Sequence, residues 1–275
     1  MSIDIKNVNK SNTPIGVFDS GVGGLSVVKS IMQKLPNEDI VYFGDIARLP
    51  YGNKSATIIK KFAHQTVKFL INKQVKAIVI ACNTISSVAT ESIRQIAGDI
   101  PVIDVISAGA LATINSNANK VAVIATPATI NSQAYPKAIH DLNNKINVIS
   151  KACPLFVPMI EENFIQHKAL ELVAEEYLNP LLKENLDAVI LGCTHYPLIR
   201  NIVQAILGNK VMIIDPADKT SDNLINLLKE NLLLNSSTQK ASHKFFVTDI
   251  PTKFQEIGEL FLQTKMEQLE LVSLD

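Results

Sequence analysis

Two cysteines stand at matching places in this chain. Lys76 to Ile85 reads KAIVIACNTI, and Asp187 to Leu198 reads DAVILGCTHYPL. In each stretch an apolar run ends in a thiol, Cys82 or Cys193, and a threonine, Thr84 or Thr194, follows within two residues. Such a run, leading into a helix, predicts a buried parallel strand. Polar groups at the carboxyl end of that kind of strand lie where open α/β sheets hold ligands. A helix N-terminus just beyond a cysteine favours its thiolate. Ile15 to Asp19 is a further short strand, ending in Asp19 and Ser20 before the turn GVGG, and His195 adjoins Thr194.

Several chemistries fit two such thiols. They could close a disulfide, provided the two strand ends come within bonding reach. Joined by His195 they could bind a metal, although the close spacing usual for a zinc site is missing. Acyl transfer needs only one cysteine and a base. Two thiols facing one carbon from opposite sides suit inversion of a stereocentre: one thiolate removes a proton and the opposite thiol returns one. The reference thiol pKa of ~8.5 lies above neutrality, so a carboxylate or imidazole nearby must accept the proton. Asp19 and His195 are the partners that position offers. Gly21, Gly23 and Gly24 either bring backbone N–H groups to an anion or only turn the strand into a helix. They do not complete GxGxxG, because Ser26 holds the sixth position. Cys153, between Ala152 and Pro154, has no polar neighbour and reads as structural.

The elements that must carry these groups follow from the pattern. Strands are expected at Ile15–Asp19, Asp39–Phe43, up to Cys82, from Pro101 through PVIDVI, at Lys120–Ala125, Ile146–Ser150, up to Gly192, Val211–Ile214 and Lys244–Val247. Helices fall between them. The one after Ser55, a plausible N-cap, has apolar or small residues at Ile58, Ile59, Phe62, Ala63, Val67, Leu70 and Ile71. Others are expected at Leu25–Leu35, Lys168–Lys183 and Ile199–Leu207, the last opened by Pro197. Alternation of this kind argues an α/β fold with mostly parallel sheets, built as two α/β halves facing one another across a cleft.

Bulk composition agrees. The 275 residues are 47% hydrophobic, with a slightly positive mean hydropathy, which favours a packed core over disorder. Acidic and basic residues balance at 26 each, giving no general pull toward nucleic acid or membrane. Three scattered cysteines make no disulfide framework and suit a reducing cytosol. The polar start MSIDIKNVNKSNTP does not read as a secretory signal. No apolar run approaches the ~20 residues of a membrane helix. A cytoplasmic protein is expected.

Six stretches together resemble one family: GVFDSGVGGLSV (Gly16 to Val27), YFGDIARLPYGNKS (Tyr42 to Ser55), ACNT (Ala81 to Thr84), VIATPAT (Val123 to Thr129), LFVPMIEE (Leu155 to Glu162) and GCTHYPL (Gly192 to Leu198). In this order they are similar to the glutamate racemases, cofactor-independent enzymes that supply D-glutamate for bacterial peptidoglycan. The resemblance implies two α/β domains, 14–105 with 218–275 and 106–217; the polar stretch 1–13 lies outside the family pattern and is expected to be a flexible tail. It implies Cys193 as the base facing L-glutamate and Cys82 as the base facing D-glutamate, assisted by His195 and Asp19 respectively. It implies substrate contacts from Ser20, Tyr51, Gly52, Asn83, Thr84 and Thr194, with Pro50, Thr126, Thr129 and Glu161 in the supporting pocket. It further implies no pyridoxal phosphate or other cofactor, no metal, and a homodimer. One departure stands out. Where the family commonly has Glu-Pro before Gly-Ala, this chain has Ser107-Ala108, a change expected to bear on packing, hinge behaviour or regulation. A racemase for aspartate or a related acid, and a non-catalytic acid-binding or redox-sensing protein, are the alternatives.

Overall fold

The structure is a computed structural model, and it describes residues 10–237 and 239–274. Four strands come first, β1 (Ile15–Asp19), β2 (Ile40–Gly44), β3 (Ala77–Ile80) and β4 (Val102–Asp104). The chain then builds β5 (Lys120–Ala125), β6 (Asn147–Ala152), β7 (Ala188–Gly192) and β8 (Met212–Ile214), and returns with β9 (His243–Val247) and β10 (Leu269–Leu271). The order β10-β9-β2-β1-β3-β4 forms a six-stranded sheet and β6-β5-β7-β8 a four-stranded one. Every pairing is parallel. The fold is therefore α/β with two parallel sheets.

Parallel strands need crossovers, and helices supply them. They are α1 (Leu25–Lys34), α2 (Ala56–Asn72), α3 (Asn83–Ala97), α4 (Val105–Asn115), α5 (Pro127–Asn131), α6 (Ala134–Leu142), α7 (Phe156–Glu161), α8 (Lys168–Leu178), α9 (Arg200–Leu207), α10 (Pro216–Glu230) and α11 (Pro251–Leu262). Helices cover both faces of each sheet, so the central strands are apolar at every position rather than alternating. Val17 and Val79 face one core, with Leu25, Ile31 and Leu224, while Phe18 and Ile80 face another, with Ile59, Val67 and Ile93. The second sheet divides likewise: Val189 and Leu191 pack with Phe156 and Leu170, and Ala188 and Ile190 with Tyr135 and Ile139. Helix α10 packs on both α1 and α4, which ties the two layers together beside the point where the chain crosses over.

Several expected elements end differently, each for a local reason. The strand read from PVIDVI stops at Asp104, because its carboxylate caps α4: Oδ1 accepts from the N–H of Ile106 at 3.0 Å and of Ser107 at 2.9 Å. Ser107, the departure noted above, adds its hydroxyl to Oδ2 at 2.8 Å. The helix expected over Lys168–Lys183 ends at Leu178 and tightens into a 3-10 turn, Asn179–Glu184, since Pro180 offers no N–H. Pro197 lies in a 3-10 turn, Tyr196–Ile199, and α9 proper starts at Arg200. The final apolar segment contains an edge strand, β10. Of the tail expected at 1–13, residues 1–9 lie outside the described residues. Lys10–Asn12 forms a 3-10 turn that is fixed in place, because the ammonium of Lys76 donates to the carbonyl of Ser11 at 2.5 Å.

Candidate active site

Register puts the chemistry together. Asp19 ends β1 opposite Gly44, and the N–H of Ala81 donates to the carbonyl of Phe18 at 2.9 Å, so the residues after β1 and β3 emerge side by side. Ser20 thereby meets Cys82, Oγ to Sγ at 3.4 Å. In the second sheet Ala125 pairs with Gly192, which sets Thr126 beside Cys193. The carboxyl edges of both sheets then enclose one cavity of about 250 Å³. Its lining includes Ser20, Pro50, Tyr51, Gly52, Cys82, Asn83, Thr84, Thr126, Glu161, Cys193, Thr194 and His195. Two residues expected there stand behind the wall. Thr129 reaches Thr126 hydroxyl to hydroxyl at 3.1 Å, and Asp19, 1% exposed, turns Oδ2 to the N–H of Gly21 at 3.0 Å. The other oxygen of Asp19, Oδ1, has no hydrogen-bond partner among the described residues.

The two thiols have unlike surroundings. Cys82 is the N-cap residue of α3, as the sequence suggests, yet burial pushes its thiol well above the ordinary range. The carboxylate of Asp19 pushes the same way, and hydrogen bonds from the Ser20 side chain and from the backbone at Ile85 and Ser20 offset only part of this. The expected depression by the helix end is thus outweighed by desolvation. Cys193 instead faces an imidazole: its Sγ lies 3.8 Å from Nδ1 of His195, whose Nε2 meets Oε1 of Glu161 at 3.0 Å. Burial alone would favour the neutral imidazole. The hydrogen bonds to Cys193 and Glu161, with their charges, prevail and push His195 up to about 10. Cys153 is fully buried among Phe156 and Tyr196 and takes no part in the cavity.

The contacts that hold some of these side chains carried no sequence signal. Tyr51 donates its hydroxyl to Oδ2 of Asp45, which also pairs with Nε of Arg48 at 3.1 Å, while Thr248 donates to Oδ1 at 3.0 Å. Tyr135 donates to Oδ1 of Asn83 at 2.7 Å. Leu49, Pro127, Pro154, Val157 and Pro158 form the apolar part of the wall, and Asn53 adds a further amide. Gly23 is present for room. A Cβ there would stand 2.4 Å from Oγ1 of Thr194 and 2.5 Å from Nδ1 of His195, so the glycine turn after β1 packs directly against the His195 side of the cleft. Among the described residues no cluster of three His, Cys, Asp or Glu side chains is placed to hold a metal ion. None of the described helices is long and apolar enough to cross a membrane.

Two parallel α/β layers that meet at their carboxyl edges, with a thiol from each lining one cavity, define a class of small two-layer α/β proteins with a cleft site. The Asp/Glu/Hydantoin racemase family matches residues 15–220, and the chain belongs to that family. A glutamate racemase of Neisseria meningitidis serogroup A is 47% identical over 271 residues, covering 98% of this chain and all of its relative (100%). One from Chlorobaculum tepidum is 47% identical over 96% of this chain and 97% of its own length. The crystal structure of glutamate racemase from Francisella tularensis, in complex with D-glutamate, superposes with a TM-score of 0.92 at 57% identity, covering 96% of this chain and 99% of that one.

Proposed function

We propose that this chain interconverts L- and D-glutamate without a cofactor, with Cys193 and Cys82 exchanging the α-proton on opposite faces of the substrate. The observation that carries this reading is the pair of thiols, one from each sheet, in the wall of a single cavity. The full-length similarity to glutamate racemases supports glutamate over aspartate.

Starting from L-glutamate, the thiolate of Cys193, beside the imidazolium of His195, takes the α-proton and becomes a thiol. The electron pair left on the α-carbon takes a proton from Cys82 on the other face, which gives D-glutamate and a Cys82 thiolate. Ser20 and the amides of Ile85 and Ser20 are placed to stabilise that thiolate. The raised proton affinity of Cys82 suits it to hold a proton until the carbanion needs one. Asp19, buried behind Cys82, and Glu161, behind His195, bias the two ends of the transfer. Asn83, Thr84, Thr194 and the Tyr51–Gly52 turn supply donors for two carboxylates, with Pro50, Thr126, Thr129 and Glu161 supporting them.

In this reading residues 14–105 with 218–275 form one domain and 106–217 the other, and catalysis is completed where they meet. The protein works in the cytoplasm as a homodimer and supplies D-glutamate for peptidoglycan. The test is proton NMR of the purified protein with L-glutamate in deuterium oxide. Loss of the α-proton signal with formation of D-glutamate, absent in Cys82→Ala and Cys193→Ala, is the expected result. Exchange with aspartate alone would move the substrate. No exchange with either, in reduced and folded protein, would overturn the racemase reading.

A further inference from the structure

One buried hydroxyl that takes no part in the proton transfer joins the two layers beside the cavity. Tyr135, on α6 beside the four-stranded sheet, is 1% exposed and donates to Oδ1 of Asn83 at 2.7 Å. Asn83 opens α3 beside the six-stranded sheet and lines the cavity, so the bond spans the two layers. A primary amide has its acceptor and its two N–H donors on opposite ends. With Oδ1 taken, Nδ2 turns the other way, and it donates to no group among the described residues. The phenol is held as a donor, because burial pushes it well above the ordinary range and the charges of Asp104, Asp215 and Cys193 add to that. The ring reaches Asn83 only because Gly109 on α4 has no side chain. A Cβ there would lie 2.9 Å from Cε1 of Tyr135 and 3.1 Å from its hydroxyl.

We infer that Tyr135 is a positioning residue that locks the Asn83 amide with its N–H donors facing the cavity, where they bind a substrate carboxylate. Without that hydroxyl the amide is free to turn, and its N–H donors must be oriented against the carboxylate at the moment of binding, which weakens the contact. The identity of the acid as glutamate rests on the function proposed above; the locking of the amide does not.

Tyr135→Phe keeps the ring and removes the hydroxyl. It raises KM for glutamate about tenfold and leaves kcat within about twofold, the size of one lost charge-assisted hydrogen bond. Asn83→Ala raises KM at least as much, and Tyr135→Phe adds nothing in the Asn83→Ala background, because the two act as one unit. Asn83→Asp keeps the acceptor for Tyr135 but loses the donors, and behaves like Asn83→Ala or worse. A tyrosine that only fills space would instead show effects that add in full. The second readout needs no turnover. The side-chain amide resonance of Asn83, assigned by its loss in Asn83→Ala, shifts in Tyr135→Phe without substrate. An unchanged KM, full additivity, or an unmoved amide resonance in folded Tyr135→Phe would each overturn the inference. Should the wild type fail to racemise glutamate while the amide resonance still shifts, the substrate assignment falls and the positioning role stands.

Discussion

Nε2 of His195 stands 3.0 Å from Oε1 of Glu161, and the same ring offers Nδ1 to Cys193 at 3.8 Å. One imidazole thus couples a carboxylate at the cavity wall to a thiol. Because its folded-state pKa is raised from 6.5 to about 10, the imidazolium adds stability fully below about pH 6.5, and that contribution is lost as pH climbs toward 10. Glu161→Gln removes the favourable carboxylate. Its melting temperature should fall below the wild type by most near about pH 6, with the gap closing toward about pH 10. A deficit of equal size across that range would show that Glu161 acts by packing alone.

The Cys82 thiol is pushed up first by burial and then by Asp19. Asp19→Asn removes the negative charge, so the thiolate forms more easily. Alkylation of Cys82, followed by peptide mass spectrometry across pH, should move to lower pH in Asp19→Asn. A curve that stays in place would mean that the Asp19 charge is not felt at the sulfur.

Gly23→Ala sets a methyl group against Oγ1 of Thr194 and Nδ1 of His195, at separations of 2.4 and 2.5 Å before relaxation. Backbone at Gly23 or the His195 ring must give way. Displacement of a proton-transfer group by about 1 Å costs about a hundredfold in rate. Racemase assays on protein checked by circular dichroism should show that loss with the fold retained. Activity within a few-fold of wild type would mean the cleft opens at no catalytic cost.

Far from the cavity, the Lys76 ammonium pairs with Glu38, both nearly fully buried, and Oε1 of Glu38 accepts from the N–H of Asn235 at 2.8 Å. Through the carbonyl of Ser11 the pair also holds the 3-10 turn before β1. Lys76→Met strands a buried carboxylate and should cost about 3–5 kcal/mol in urea denaturation. Adding Glu38→Gln removes that charge and should recover part of the loss. No recovery in the double variant would place the cost in packing around residue 76 instead.

Apolar runs such as AIVI before Ala81 and Cys82 and AVILG before Cys193 can only be buried on both faces, so the parallel α/β class follows from the sequence alone. The same runs end in polar residues at a sheet edge, which is why Cys82, Cys193, Ser20, Thr84 and Thr194 stand out before any coordinates. Local capping was partly legible. Ser55 accepts from the N–H of Ile58 at 3.4 Å as its type suggests, whereas the end of β4 was missed because Asp104 reads equally well as strand or cap. What tertiary structure alone decided are relations between side chains distant in sequence. These include the hydroxyl of Tyr135 on Asn83, the hydroxyl of Tyr51 on Asp45, and the close approach of Gly23 to His195. The proton affinities belong here as well. A helix N-terminus visible in the sequence favours the Cys82 thiolate, but burial and Asp19 reverse the outcome. The reason is physical: periodicity and turn chemistry act within a few residues, whereas desolvation and charge depend on every atom within several ångströms, whichever part of the chain supplies it.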